Sequence, residues 1–134
     1  MSATVNVNGT ITDGATASIS VFDRGFLFGE GVYETIRTYN RLPFLFDRHM
    51  DRLRRSAARI DLACPLDDAG VHTRIIETIA AGAAEGEAYV RLLLTRGVGD
   101  ISYDPKTATT PSLVIIVKPL PEVPAEFQAT GVAV

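Results

Sequence analysis

The chain has one cysteine, Cys64, so an internal disulfide and any cysteine-based zinc centre are excluded. A lone thiol of this kind reads as a buried packing residue and not as a nucleophile. Lysine is nearly as scarce, with only Lys106 and Lys118 among 134 residues. No apolar run approaches the ~18 residues needed to cross a bilayer, so no membrane span is expected. The opening MSATVNVNGT lacks both the basic region and the apolar core of a secretory signal, and the reading is a cytoplasmic protein. Low-complexity tracts and internal repeats are missing. Positive charge is not in excess either: the formal net charge is −3, which argues against a sequence-independent hold on nucleic acid. The two histidines, His49 and His72, have no partnered cysteine and fall on different helical segments, so no metal site is expected.

What is present suffices for one domain, since a chain of this length buries roughly two-thirds of its unfolded surface. Residues 3–7 alternate and meet Asn8-Gly9, a type I′ hairpin signal, before a second strand through Ile11. Residues 23–31 hold three glycines around Phe26, Leu27 and Phe28 and read as a compact or short helical turn. From Val32 to Tyr39 the pattern alternates, with Tyr33, Thr35, Arg37 and Tyr39 forming one polar and aromatic face. After an Asn40-Arg41 turn, residues 43–46 read as a short partner strand. Asp47 is the expected N-cap of a helix whose apolar stripe is Met50, Leu53, Ala57 and Ile60.

A second helix is expected over residues 67–84, with Val71, Ile75 and Ile79 inward and its exit near Gly86, then a strand over 87–96. Residues 113–117 are apolar throughout and read as a strand buried on both faces. The prolines of residues 118–124 favour an extended connection, and residues 131–134 read as the start of another strand. The fold class is therefore α+β, a mostly antiparallel sheet with two helices packed on one side.

Gly29-Glu30-Gly31 is not a dinucleotide loop, because Glu34 stands where the third glycine belongs and a strand follows, not a helix. The cluster Arg48, Arg52, Arg54, Arg55 and Arg59 is more telling. His49, Arg52, Ser56 and Arg59 form a polar stripe that flanks the apolar one. An arginine at the edge of a core must snorkel, pair with a carboxylate or bind an anion. Arg91 and Arg96 pose the same question on a strand. Their parity is opposite, so they share a pocket only if the strand bulges or ends between them.

Three runs carry a resemblance over nearly the whole chain: Asp23-Arg24-Gly25-Phe26-Leu27-Phe28-Gly29-Glu30-Gly31-Val32-Tyr33-Glu34, then Asp47-Arg48-His49-Met50-Asp51-Arg52-Leu53, then Tyr89-Val90-Arg91 with Thr95-Arg96-Gly97-Val98-Gly99-Asp100 and Asp104-Pro105. In order and spacing they resemble the class IV, fold-type IV pyridoxal-phosphate aminotransferases, a group that includes branched-chain and D-amino-acid aminotransferases and aminodeoxychorismate lyases. The resemblance implies an amino-terminal domain over residues 1–118, with residues 119–134 as interdomain linker and the start of a carboxy-terminal domain. It implies pyridoxal 5′-phosphate as cofactor of the full-length parent, with Arg52 at the cofactor phosphate, where a guanidinium offers a charged planar fork.

By the same resemblance Tyr33 lines the pocket, Phe28 stands where some branched-chain enzymes carry tyrosine, Arg91 matches a pocket arginine of branched-chain enzymes, and Arg96 matches the carboxylate-binding arginine of D-amino-acid enzymes. Arg37 joins these as a candidate substrate contact. The pattern around Arg96 and Asp104-Pro105 most resembles the bacterial and archaeal branched-chain group. The expected substrates are small amino and 2-oxo acids, and the expected assembly is a homodimer or higher homo-oligomer. Neither lysine matches the family position that holds the cofactor covalently, so this stretch of chain is expected to be inactive by itself. A lyase of the same fold, a D-amino-acid enzyme and a non-catalytic binding module remain the alternatives.

Overall fold

The structure, a computed structural model, describes residues 2–134. The first hairpin joins β1 (Thr4–Val7) to β2 (Thr10–Asp13) through Asn8 and Gly9, whose φ angles of 52° and 96° are those of the expected type I′ turn. Asn8 does more than turn the chain. Its amide donates to Ser112 Oγ at 3.0 Å and accepts from the Leu113 amide at 2.8 Å, tying the turn to a distant strand. A short helix, α1 (Arg24–Phe28), begins at Asp23, whose carboxylate accepts from the Gly25 amide, and ends at Gly29 with φ 67°. β3 (Gly31–Tyr39) turns through Asn40 and Arg41, both at positive φ, into the two-residue β4 (Leu42–Pro43).

Two long helices follow, α2 (Phe46–Ala58) and α3 (Asp68–Ala81), then β5 (Ala88–Thr95), a single 3₁₀ turn at Pro105–Thr107, β6 (Ser112–Pro119) and a short terminal helix, α4 (Ala125–Thr130). The six strands form one antiparallel sheet in the order β2-β1-β6-β5-β3-β4. The expected α+β architecture is found. One face of the sheet is covered: Met50, Leu53 and Ala57 of α2 and Val71, Ile75 and Ile79 of α3 pack on Ile36, Val90, Leu92, Leu94, Leu113, Ile115 and Val117. Each large side chain sealed in this layer contributes roughly 1.5–3 kcal/mol relative to exposure.

Several sequence expectations are corrected. The partner strand expected over residues 43–46 is shorter and starts earlier, at Leu42–Pro43, because Leu45 adopts φ 52° and turns the chain straight into α2. That residue, and not Asp47, occupies the N-cap position; Asp47 lies in the first turn, where its charge still suits the helix dipole. α3 starts as expected from Asp67 but ends at Gly82, four residues before Gly86. β6 is buried on one face only, with Val114 and Ile116 half-covered on the other. Residues 131–134 are not a strand, and Cys64 is half-buried beside the core, not sealed within it.

Candidate functional site

Alternation along β3 and β5 divides the polar side chains between the two faces of the sheet. On the face away from the helices, Tyr33, Thr35 and Arg37 of β3 stand opposite Leu93, Arg91 and Tyr89 of β5, and Ile116 and Lys118 of β6 extend the rows. Three cations lie here, each against a ring. The Arg91 guanidinium is 4.2 Å from the Tyr33 centroid, Arg37 is 3.8 Å from that of Tyr39, and Lys118 Nζ is 4.7 Å from that of Tyr89. None of the three is in an ion pair among the described residues, although cation–ring contact is worth only ~0.5–2 kcal/mol. Hydrogen bonding to Thr35, opposed by desolvation and aided by Arg91 and Lys118, holds the Tyr89 phenol below its usual pKa. This is an electropositive, aromatic surface suited to a small carboxylate or oxoanion.

Beside these rows the same face becomes apolar. A cleft of ≈ 590 Å³ runs under residues 14–19, floored by Val5, Val7, Leu93, Val114 and Ile116. Ile19 lines the same cleft, and Val21, Phe22, Phe26, Val98 and Ile101 are further exposed apolar side chains.

Arg52 belongs to the helix side of β3. Its Nε and Nη2 donate to Glu34 Oε1 and Oε2, each at 2.6 Å, and His49 Nδ1 lies 2.8 Å from Oε2. Of the three options open to an arginine at a core edge, it takes the carboxylate. Glu34 is 4% exposed whereas Arg52 is 62% exposed, so the pair spans the layer from core to solvent. The Arg52 hydrogen bond, and secondarily that of His49, hold the Glu34 carboxyl below the usual range against the opposing effect of burial. Neighbouring residues Tyr33 and Glu34 point to opposite faces, so Arg52 and the aromatic array are reached from opposite sides of β3. On the outer side of β3 only Thr38 and Tyr39 pair with β4, and Gly31–Ile36 have no strand partner on that side among the described residues.

A second carboxylate, Glu30, is held between two arginines. Fully buried Arg24 donates to both of its oxygens, at 2.9 and 2.8 Å, and to the carbonyls of Asp100 and Ser102. Arg96 completes the group: Nε donates to Glu30 at 2.7 Å, and Nη1 and Nη2 reach the carbonyls of Asp61 and Ile60 at the end of α2. Arg24 first, then Arg96, keep the Glu30 carboxyl below its usual pKa. β5 does end between them, at Thr95, yet Arg91 and Arg96 do not share a pocket: Arg91 lies over Tyr33, whereas Arg96 is taken up by Glu30 and the carbonyls of Ile60 and Asp61. Phe28 lies against Arg24 at 4.3 Å and near Tyr103, away from Tyr33.

Of the residues expected at the site, then, the structure brings together Tyr33, Arg37 and Arg91, sets Arg52 across the strand edge from them, and places Arg96 and Phe28 in a separate bracing group. Sequence reasoning named Tyr89, Glu34 and His49 within its motifs but gave them, and Lys118, no place at the site. Tyr89 shares parity with Arg91, which was a usable signal. Nothing in the linear pattern joined Glu34 to Arg52, eighteen residues away.

The family described as amino-transferase class IV matches residues 31–134. A putative branched-chain-amino-acid aminotransferase of Methanocaldococcus jannaschii is 38% identical over 117 residues, 87% of this chain and 40% of that protein. A D-alanine aminotransferase of Listeria monocytogenes is 38% identical over 94 residues, 70% of this chain and 32% of that protein. The crystal structure of 4-amino-4-deoxychorismate lyase from Pseudomonas aeruginosa superposes with a TM-score of 0.77 at 30% identity, covering 96% of this chain and 44% of that one. The chain spans less than half the length of these relatives.

Proposed function

The chain belongs to the class IV aminotransferases, and from that premise we propose that it is the amino-terminal part of a pyridoxal-phosphate enzyme exchanging an amino group between a branched-chain or related amino acid and 2-oxoglutarate. The observation that carries this reading is the outer edge of β3. On one side it offers Arg52, whose Nη1 hydrogens have no acceptor among the described residues. On the other it offers Tyr33 with Arg91 over its ring.

These residues fit one wall of the cofactor's site. Arg52 would hold the phosphate; Tyr33 would limit the pocket beside it; Arg91 would orient a substrate carboxylate, with Arg37 as a further candidate contact, whereas Arg96 is committed to Glu30. Bound there, the cofactor would supply the electron sink that amino-group chemistry at the α-carbon requires. The chain's own part is to grip, orient and exclude water. Lys118 is on β6, two strands inward from β3, and Lys106 is in the 3₁₀ turn, and neither matches the position that holds the cofactor covalently in the family. We infer that residues 1–134 alone are inactive.

The full-length gene product should form glutamate from leucine and 2-oxoglutarate, and the absence of glutamate would refute the branched-chain reading. A lyase reading has its own support in the 30% identity to the deoxychorismate enzyme over 96% of this chain. Pyruvate release from aminodeoxychorismate would select it.

A further inference from the structure

A carboxylate between sheet and helix is costly to keep ionised unless it is fully paired. Glu34 is such a group, and the side chain satisfying it is mostly in solvent. α2 does not need this pair in order to dock, because Met50, Leu53 and Ala57 hold it to the sheet with at most 1% exposure each. An apolar pair would tie strand to helix at least as well. What the ion pair provides is geometry. With Nε and Nη2 each 2.6 Å from an oxygen of Glu34, the plane of the Arg52 guanidinium is set. His49 Nδ1, 2.8 Å from Oε2, restrains the carboxylate from a second direction. Both Nη1 hydrogens then leave from the far edge of the fork toward solvent, without an acceptor among the described residues. A long arginine left alone would sample many rotamers; this one is committed to a single orientation before any ligand arrives.

We propose that Glu34, braced by His49, is a positioning residue that holds Arg52 with the outer edge of its guanidinium turned toward a phosphate monoester. The proposal rests on the reading of Arg52 as the phosphate contact. Glu34 does not touch the ligand; it acts through Arg52. The arrangement differs from a plain strand-to-helix tie in one checkable respect: phosphate must bind while the Glu34–Arg52 bonds remain intact.

The test is ¹⁵N NMR of the arginine side chains in the 134-residue chain, titrated with inorganic phosphate. The wild type should show a saturable shift at Arg52, absent in R52A, while the Arg52 Nε–H stays slowly exchanging throughout. In E34Q the phosphate dissociation constant should rise about tenfold, as for loss of a partner that orients a ligand-binding side chain. A folded E34Q that binds phosphate as tightly as wild type would overturn the positioning role and leave the Arg52 contact standing. Release of the Nε–H on phosphate binding to the wild type would also overturn it, since Glu34 would then be a competitor; that measurement does not depend on E34Q folding. A wild type without a saturable shift, or an R52A variant that binds equally, would instead remove the Arg52 reading itself.

Discussion

Two carboxylates, Glu30 and Glu34, are paired with arginines and add to the acid sensitivity of the fold. Both are held below their ordinary pKa, chiefly by the hydrogen bonds of Arg24 and Arg52 respectively. A group with a depressed folded-state pKa contributes stability above its unfolded pKa, near 4.3, and loses it as pH falls through the folded value. The urea midpoint should therefore be flat down to about pH 5 and fall below it. E30Q should show a shallower acid fall, and an unchanged pH profile in that variant would contradict the assignment. Gly97 gives a sharper residue-scale prediction. At φ 86°, a Cβ there would lie 1.9 Å from the Thr110 carbonyl oxygen, so Gly97→Ala should destabilise by more than about 1 kcal/mol in chemical denaturation. The sequence made the pattern around Arg52 legible but not its partner. Strict alternation placed Glu34 on a face with Val32 and Ile36, yet only the packing of α2 tells that this face is the buried one.

At the scale of elements, the opening hairpin, the strands before and after the helical pair and both long helices were legible because their signals are local, whereas the strand expected at residues 131–134 is not formed. Positive φ at Asn8-Gly9 and Asn40-Arg41 is chemistry that those residue types tolerate, and the three- and four-residue steps of α2 follow from the helix repeat itself. The start of α2 was misread because Leu45, a residue with no preference for the left-handed region, is forced into it by the tight passage from β4. Removing the side-chain cap of α3 by Asp67→Ala should cost about 0.5–2 kcal/mol, measured by thermal or urea unfolding. Leu53→Ala, emptying the seam between α2 and the sheet, should cost about 2–5 kcal/mol; a loss under 1 kcal/mol would mean that the helix docks less tightly than its burial implies.

On the scale of the whole molecule, the sheet has one face closed by helices and one face open. The cleft floored by Val5, Val7, Leu93, Val114 and Ile116, with Ile19 beside it, is apolar surface of the kind that soluble chains usually cover. The 134-residue chain should therefore self-associate, with a sedimentation coefficient that rises with concentration; a monomer at high concentration would refute this. Mixed with pyridoxal phosphate and then borohydride, it should yield no stoichiometric adduct on Lys106 or Lys118 by mass spectrometry. The brevity of β4 has a further consequence. Along Gly31–Ile36 the backbone donors and acceptors on the outer side of β3 meet no neighbouring strand among the described residues. Such a border is a template onto which an extended peptide can zip, so copies of this chain are open to strand-by-strand growth along it.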